Sequence, residues 1–145
     1  MKDLHSKIIL ASLLGASVMA ASADSGAVDL QGYNSAEIAL AIGVGGIVFT
    51  GANKVEFALL HSDDGVSFTP VADKDVLGVT GTANGILKAL VAAQAAAGVY
   101  RFGYKGGKRW IKLAANFSGA HATGTPIAAM LIKASGISRP EADQA

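Results

Sequence analysis

The stretch Val99-Tyr100-Arg101-Phe102-Gly103-Tyr104-Lys105-Gly106-Gly107-Lys108-Arg109-Trp110-Ile111-Lys112-Leu113 decides the fold class. Apolar and polar residues alternate on either side of a Gly-Gly pair, and alternation sends successive side chains to opposite faces of a strand. The glycines supply the positive φ of a tight hairpin turn. A two-residue loop sets Lys105 against Lys108, Tyr104 against Arg109, Phe102 against Ile111, Arg101 against Lys112 and Tyr100 against Leu113. One face of this hairpin then carries Tyr100, Phe102, Ile111 and Leu113 and belongs to a core. The other carries Arg101, Lys105, Lys108, Lys112 and an exposed Trp110 above Gly103. Like charges directly opposite one another destabilise a sheet by up to roughly 1 kcal/mol a pair unless anions are interposed. The second face therefore reads as a cationic binding surface.

The same pattern of short apolar runs cut by Gly, Asn, Asp and Pro extends over the rest of the chain from Ala27, as in an all-β sandwich or barrel. Strands are expected at Ala27–Leu30, Ala36–Ile42, Gly46–Phe49, Val55–His61, Ser67–Val71, Asp75–Val79, Gly85–Val91, Val99–Tyr104, Arg109–Phe117 and Ile127–Ala134. Val55, Phe57 and Leu59 share one face. Asp63-Asp64-Gly65 reads as a second hairpin connection, between Val55–Ser62 and Ser67–Val71. The Ala-rich Leu90–Ala97 admits about one helical turn.

Charge is partitioned along the chain. Up to Asp75 there are nine acids against four lysines, a balance of −5. Between Asp75 and Glu141 stand eight cations (Lys88, Arg101, Lys105, Lys108, Arg109, Lys112, Lys133, Arg139) and no carboxylate, and Glu141 and Asp143 add −2, leaving +1 overall. Two opposed fields in one chain point to an acidic partner or to head-to-tail self-association.

The 145 residues are enough for one domain that buries roughly two-thirds of the surface of its unfolded chain. Cysteine is absent, which excludes a disulfide framework, a thiol nucleophile and a thiolate metal site. Three scattered histidines, His5, His61 and His121, favour no metal centre, and no cofactor is expected. Lys2, Lys7, the run Ile8 to Met19 and Ala21-Ser22-Ala23 have the form of a secretory signal with an A-x-A cleavage site. Asp3 in the leading region and Ser12, Gly15 and Ser17 within the run fit that form poorly. The run is also short for a membrane helix, which needs about 20 apolar residues. The favoured reading is an extended N-terminal arm, residues 1–26, that packs on a neighbour through Ile8, Leu10, Leu13 and Leu14. A β-sandwich domain over residues 27–135 and a polar tail over residues 136–145 complete the organisation.

Catalytic and ligand motifs are weak. Gly43-Val44-Gly45-Gly46 lacks the spacing of a phosphate loop and no helix pattern follows it. Asp63-Asp64-Gly65 has adjacent carboxylates but no distal bidentate Glu, so a plain turn is favoured over calcium. His61 and His121 have no serine in an elbow motif and no evident acid partner, so no enzyme is expected. Nucleic acid is unlikely as a partner, because Tyr100, Phe102 and Tyr104 fall on the core face and leave only Trp110 to stack on bases. A protein with an acidic surface, or the acidic first half of a second copy, fits better.

Four segments carry a resemblance: Met1-Lys2-Asp3-Leu4-His5; Val28-Asp29-Leu30-Gln31-Gly32-Tyr33-Asn34-Ser35-Ala36; Leu60-His61-Ser62-Asp63-Asp64-Gly65-Val66-Ser67-Phe68-Thr69; and Tyr100 to Trp110. In this order they resemble small structural proteins of tailed bacteriophages that accompany the major capsid protein. The resemblance implies a decoration or cement protein on the outside of the shell, often a trimer, that clamps neighbouring capsomers. The implied partner is the major capsid protein, the implied location is the virion, and no membrane is involved. Separately, Ser62–Phe68 set against Arg109–Leu113 is similar to the layout of discoidin-type jelly rolls, a likeness of fold alone. The expectation is thus a single jelly-roll-like β-sandwich with an N-terminal arm. Arg101, Lys105, Lys108, Arg109, Trp110 and Lys112 are its expected interface residues. Other virion modules (head–tail joining, tail or fibre-attached) and a secreted carbohydrate-binding module are the alternatives.

Overall fold

The structure, a computed structural model, describes residues 3–137 together with Glu141 and Gln144. Eleven strands follow in chain order: β1 Ile8–Met19, β2 Ala23–Asp24, β3 Val28–Asp29, β4 Tyr33–Ile42, β5 Lys54–Ser62, β6 Thr69–Pro70, β7 Val76–Leu77, β8 Ile86–Leu90, β9 Gly98–Tyr104, β10 Trp110–Ser118 and β11 Thr125–Gly136. They form two antiparallel sheets packed face to face. The first runs β1-β11-β4-β9-β7; the second runs β2-β10-β5-β6, with β3 also on β10 and β8 also on β5. Taken as one interrupted strand, β2 and β3 give the orders β1-β11-β4-β9 and β2/β3-β10-β5-β8. This interleaving of the two sheets is that of a jelly roll, and the fold class expected from the sequence holds.

Alternation explains the core. Ile38, Leu40 and Ile42 of β4 face Val55, Phe57 and Leu59 of β5 across the interior, with Ile111 and Leu113 of β10 and Leu131 of β11 among them. All are essentially inaccessible to solvent. The β5–β6 hairpin also forms as expected, pairing Leu60 with Pro70 and His61 with Thr69. Its loop is held by Asp64, whose Oδ1 accepts the Ser62 hydroxyl at 2.7 Å and the backbone N–H groups of Val66 at 2.9 Å and Ser67 at 2.8 Å. These bonds pull the Asp64 carboxyl down to about 2.

Three expectations are corrected. First, β9 and β10 do not pair: β9 lies between β4 and β7 in one sheet, and β10 lies beside β5 in the other. Gly106 and Gly107 turn a corner between sheets instead of closing a hairpin. Strand parity was right, since Phe102, Tyr104, Ile111 and Leu113 are all buried. They belong to one interior cluster, contributed from opposite sheets rather than side by side. The Tyr104 hydroxyl braces the corner by accepting the Lys108 N–H at 3.3 Å.

Second, Ile8–Met19 is no separate arm. It is the edge strand of the first sheet, paired with β11 from Ile8 opposite Ala134 to Met19 opposite Thr125. Register shifts between Ser12 and Leu14 and between Leu14 and Ser17 let the adjacent residues Leu13 and Leu14 both turn inward, each only 6% exposed. The sandwich therefore includes β1, ahead of the boundary at Ala27. Third, Gly46–Phe49 and Leu90–Ala97 form neither strand nor helix beyond the end of β8 at Leu90. Phe49 is nonetheless a core plug.

Candidate association surfaces

The corner between β9 and β10 distributes the expected cationic face over different parts of the molecule. Trp110 and Lys112 alternate with the inward Ile111 and Leu113 and so look out from the second sheet. Lys112 Nζ lies 3.2 Å from Asp24 and 5.1 Å above the Phe68 ring. Arg109 clasps Asp29 with two bonds, Nε to Oδ1 at 2.9 Å and Nη2 to Oδ2 at 2.6 Å. Lys108 lies 3.3 Å from Asp63. Trp110 is half-buried rather than exposed, because its indole covers Gly65 of the β5–β6 loop.

These partners explain the opposed charges of the sequence. The short strands β2 and β3 lie along β10, with Ala114 opposite Asp24 and Trp110 opposite Asp29. Acids of the first half are thereby delivered onto cations of the second. Arg109 holds the Asp29 carboxyl below the usual carboxylate range, and Asp29 raises the guanidinium in return. Much of the field attributed to an outside acidic partner is thus matched within the chain.

Arg101 and Lys105 are different. Arg101 sits opposite Ala39 on the outer side of the first sheet, and Lys105 follows β9 directly. Both are exposed, and among the described residues neither makes an ion pair. Lys105, Lys108 and Arg109 border a groove of about 700 Å³ that also takes in Tyr33, Glu37 and Leu77. Three of the six expected residues are therefore gathered at one place, while Arg101 belongs to the first sheet and Trp110 and Lys112 to the second. Arg139 lies outside the described residues.

The outer side of the first sheet is the surface that the sequence reading missed. Opposite the inward set stand Ile8 and Leu10 of β1, Met130 and Ile132 of β11, Ala39 of β4 and Val99 of β9, with two charges among them, Glu37 opposite Ile132 and Arg101 opposite Ala39. Leu10 and Met130 are each 44% exposed and Val99 is 76% exposed. An adjoining groove of about 550 Å³ runs between Val18, Ala41, Val99 and Pro126. A signal did exist, since Ala36–Ile42 and Ile127–Ala134 are apolar at almost every position rather than at alternate ones. Such runs read as strands covered on both faces. Here one face is covered by the second sheet, while on the other Leu10, Met130 and Val99 stay exposed among the described residues. Of the four residues expected in an arm interface, Ile8 and Leu10 lie on this surface, while Leu13 and Leu14 are committed to the chain's own core.

His61 and His121 are both buried. His61 Nδ1 meets the Tyr104 hydroxyl at 3.0 Å, and burial pushes the imidazole below its ordinary value. His121 bonds the Ser118 carbonyl oxygen at 2.8 Å and stacks edge-on against Phe117.

No protein-family model matches the chain, and no curated protein matches it. Among solved structures, one described by the words "Bacillus endospore appendages form a novel family of disulfide-linked pili" is similar over 91% of this chain and 90% of that chain. The identity is 17% and the TM-score 0.42. So loose a likeness carries no argument, and the jelly-roll assignment rests on the sheets themselves.

Proposed function

We propose that this chain is a structural protein whose work is association, and that it binds the outside of a tailed-phage capsid and stabilises contacts between capsomers. The observation that carries the reading is the largely apolar outer side of the first sheet, which runs from Leu10 over Met130 and Ala39 to Val99 and is interrupted by Glu37 opposite Ile132 and by Arg101 opposite Ala39. Contiguous apolar patches on soluble proteins mark surfaces that another molecule covers. The phage setting is supported by the four segments that resemble capsid-associated structural proteins. In this reading the major capsid protein is the partner, and the chain acts as a homo-oligomer. Burial of the apolar face supplies most of the affinity, while Arg101 and Lys105 set register and partner choice.

The test is the copy number of the chain in purified particles, combined with binding of two variants to empty shells. Hundreds of copies support shell decoration; about a dozen or fewer would assign the chain to a connector or tail instead. Replacing Met130 and Ile132 together by Ser should weaken shell binding while the melting temperature stays close to wild type. Unchanged binding by that variant would remove the apolar face from the mechanism.

A further inference from the structure

The free edge of β1 is already engaged, by an atom group that imitates a strand. Leu10 donates its backbone N–H to Oε1 of Gln144 at 2.9 Å, and Gln144 Nε2 donates to the Leu10 carbonyl oxygen at 2.8 Å. A carboxamide offers one acceptor and N–H donors in the plane of a peptide group, so the Gln144 side chain makes the two bonds that an added strand would make. We infer that the edge of β1 is a pairing site for β1 of a second copy, held shut in the single chain by Gln144.

The geometry fixes which residues pair. Because both polar groups of Leu10 point to Gln144, they point away from Ile132, its neighbour on β11. Strand alternation gives Ile8 and Ser12 the same outward-pointing backbone. Beyond Ser12 the two register shifts of β1 bend the edge and end its regularity. The pairable segment is therefore Ile8–Ser12, and its centre is Leu10.

The occupant follows from the chemistry of that segment. Exposed edges are ordinarily blunted by Lys, by Pro or by inward charges. Bulges serve the same end, and those of β1 lie beyond Ser12, so that Ile8–Ser12 holds no bulge, Lys, Pro or charge. It is therefore compatible with its own antiparallel copy. A two-fold axis at Leu10 sets Leu10 opposite Leu10 and Ile8 opposite Ser12, an isologous contact in which each copy uses the same patch. The apolar outer sides of the two first sheets then join into one surface, with Leu10, Met130 and Ile132 of both copies near the axis.

The latch is built to release. Glu141 donates its backbone N–H to the Ser6 carbonyl oxygen at 3.2 Å and accepts the Tyr33 hydroxyl on Oε2 at 3.0 Å. Its other carboxylate oxygen, Oε1, is buried and has no hydrogen-bond partner among the described residues. An unsatisfied buried carboxylate oxygen works against closure.

The purified full chain, without particles, is the material for the test, so its outcome is independent of the capsid reading. In sedimentation equilibrium, Gln144→Ala should lower the dimer dissociation constant by about tenfold, the worth of the two lost latch bonds. Adding Leu10→Pro should return this variant to monomer. Proline there removes only the N–H that faces the edge and leaves the β1–β11 ladder intact. Adding Leu10→Lys instead should do the same by placing like charges face to face, and this covers the case in which the proline variant fails to fold. In the dimer, amide exchange at Ser12 should slow relative to the monomeric Leu10→Lys control. A Gln144→Ala chain that stays monomeric, or assembles equally well with Leu10→Lys, overturns the inference.

Discussion

The Tyr104 hydroxyl accepts the Lys108 N–H, which leaves its own proton for Nδ1 of His61. A neutral His61 can accept that proton at Nδ1. Burial, the largest influence, lowers its pKa below the ordinary 6.5, against a smaller opposing pull from Asp75. The unfolded chain binds a proton near 6.5 while the native chain does so only at lower pH. Stability is therefore full above the ordinary value and falls as pH drops from there toward the lowered one. Melting temperatures across this window should decline for the wild type. His61→Gln keeps an acceptor for Tyr104 and should flatten the decline; an undiminished decline would assign it to another group. Space matters at the same scale. Gly124, at φ +84°, would direct a Cβ to within 2.6 Å of the Met19 carbonyl oxygen, while Gly32, at φ +88°, opens on empty space. Both alanine variants carry backbone strain, but Gly124→Ala adds overpacking. It should lose roughly 1–3 kcal/mol more than Gly32→Ala in urea denaturation.

At the scale of elements, β1 separates a strand from an arm. Leu14 and Leu10 are chemically alike, yet Leu14 is buried and Leu10 is half-exposed. Leu14→Ala should cost about 2–5 kcal/mol, as for other large-to-small core changes, and Leu10→Ala under about 1 kcal/mol in the monomer. Denaturant midpoints measure both, and equal small losses would restore the arm. The sequence leaves β1 illegible as a strand because its register shifts destroy period-two alternation: Leu13 and Leu14 face inward together, which a regular strand forbids. By contrast β4, β5, β9, β10 and β11 were legible, since each keeps its inward set intact. Parity reveals which face of a strand is inside but not which sheet owns the strand. That is why Arg101 and Lys112, correctly read as outward, were set opposite one another and belong in fact to different sheets.

Across the whole molecule, charge and apolar area meet different fates. Asp24, Asp29 and Asp63 lie on Lys112, Arg109 and Lys108, so these exposed pairs are neutralised in place. Exposed pairs contribute little to stability and are screened by salt. The candidate surface was only partly legible for this reason: the letters count charges, whereas pairing of β2 and β3 with β10 decides which remain unmatched. Of the six expected interface residues, Arg101 and Lys105 are the cations left without an ion pair among the described residues, at the β9 side of the outer face. Charges at the rim of an interface act chiefly on the rate of encounter, while buried apolar contacts govern how long a complex lasts. Under the capsid-binding proposal, binding kinetics on shells at low and high salt should separate two variants. Arg101→Ser with Lys105→Ser should slow association and flatten its salt dependence, with dissociation nearly unchanged. Met130→Ser with Ile132→Ser should speed dissociation and leave the salt dependence of association in place. If both variants alter the same rate constant, the two features serve one contact and the division is wrong.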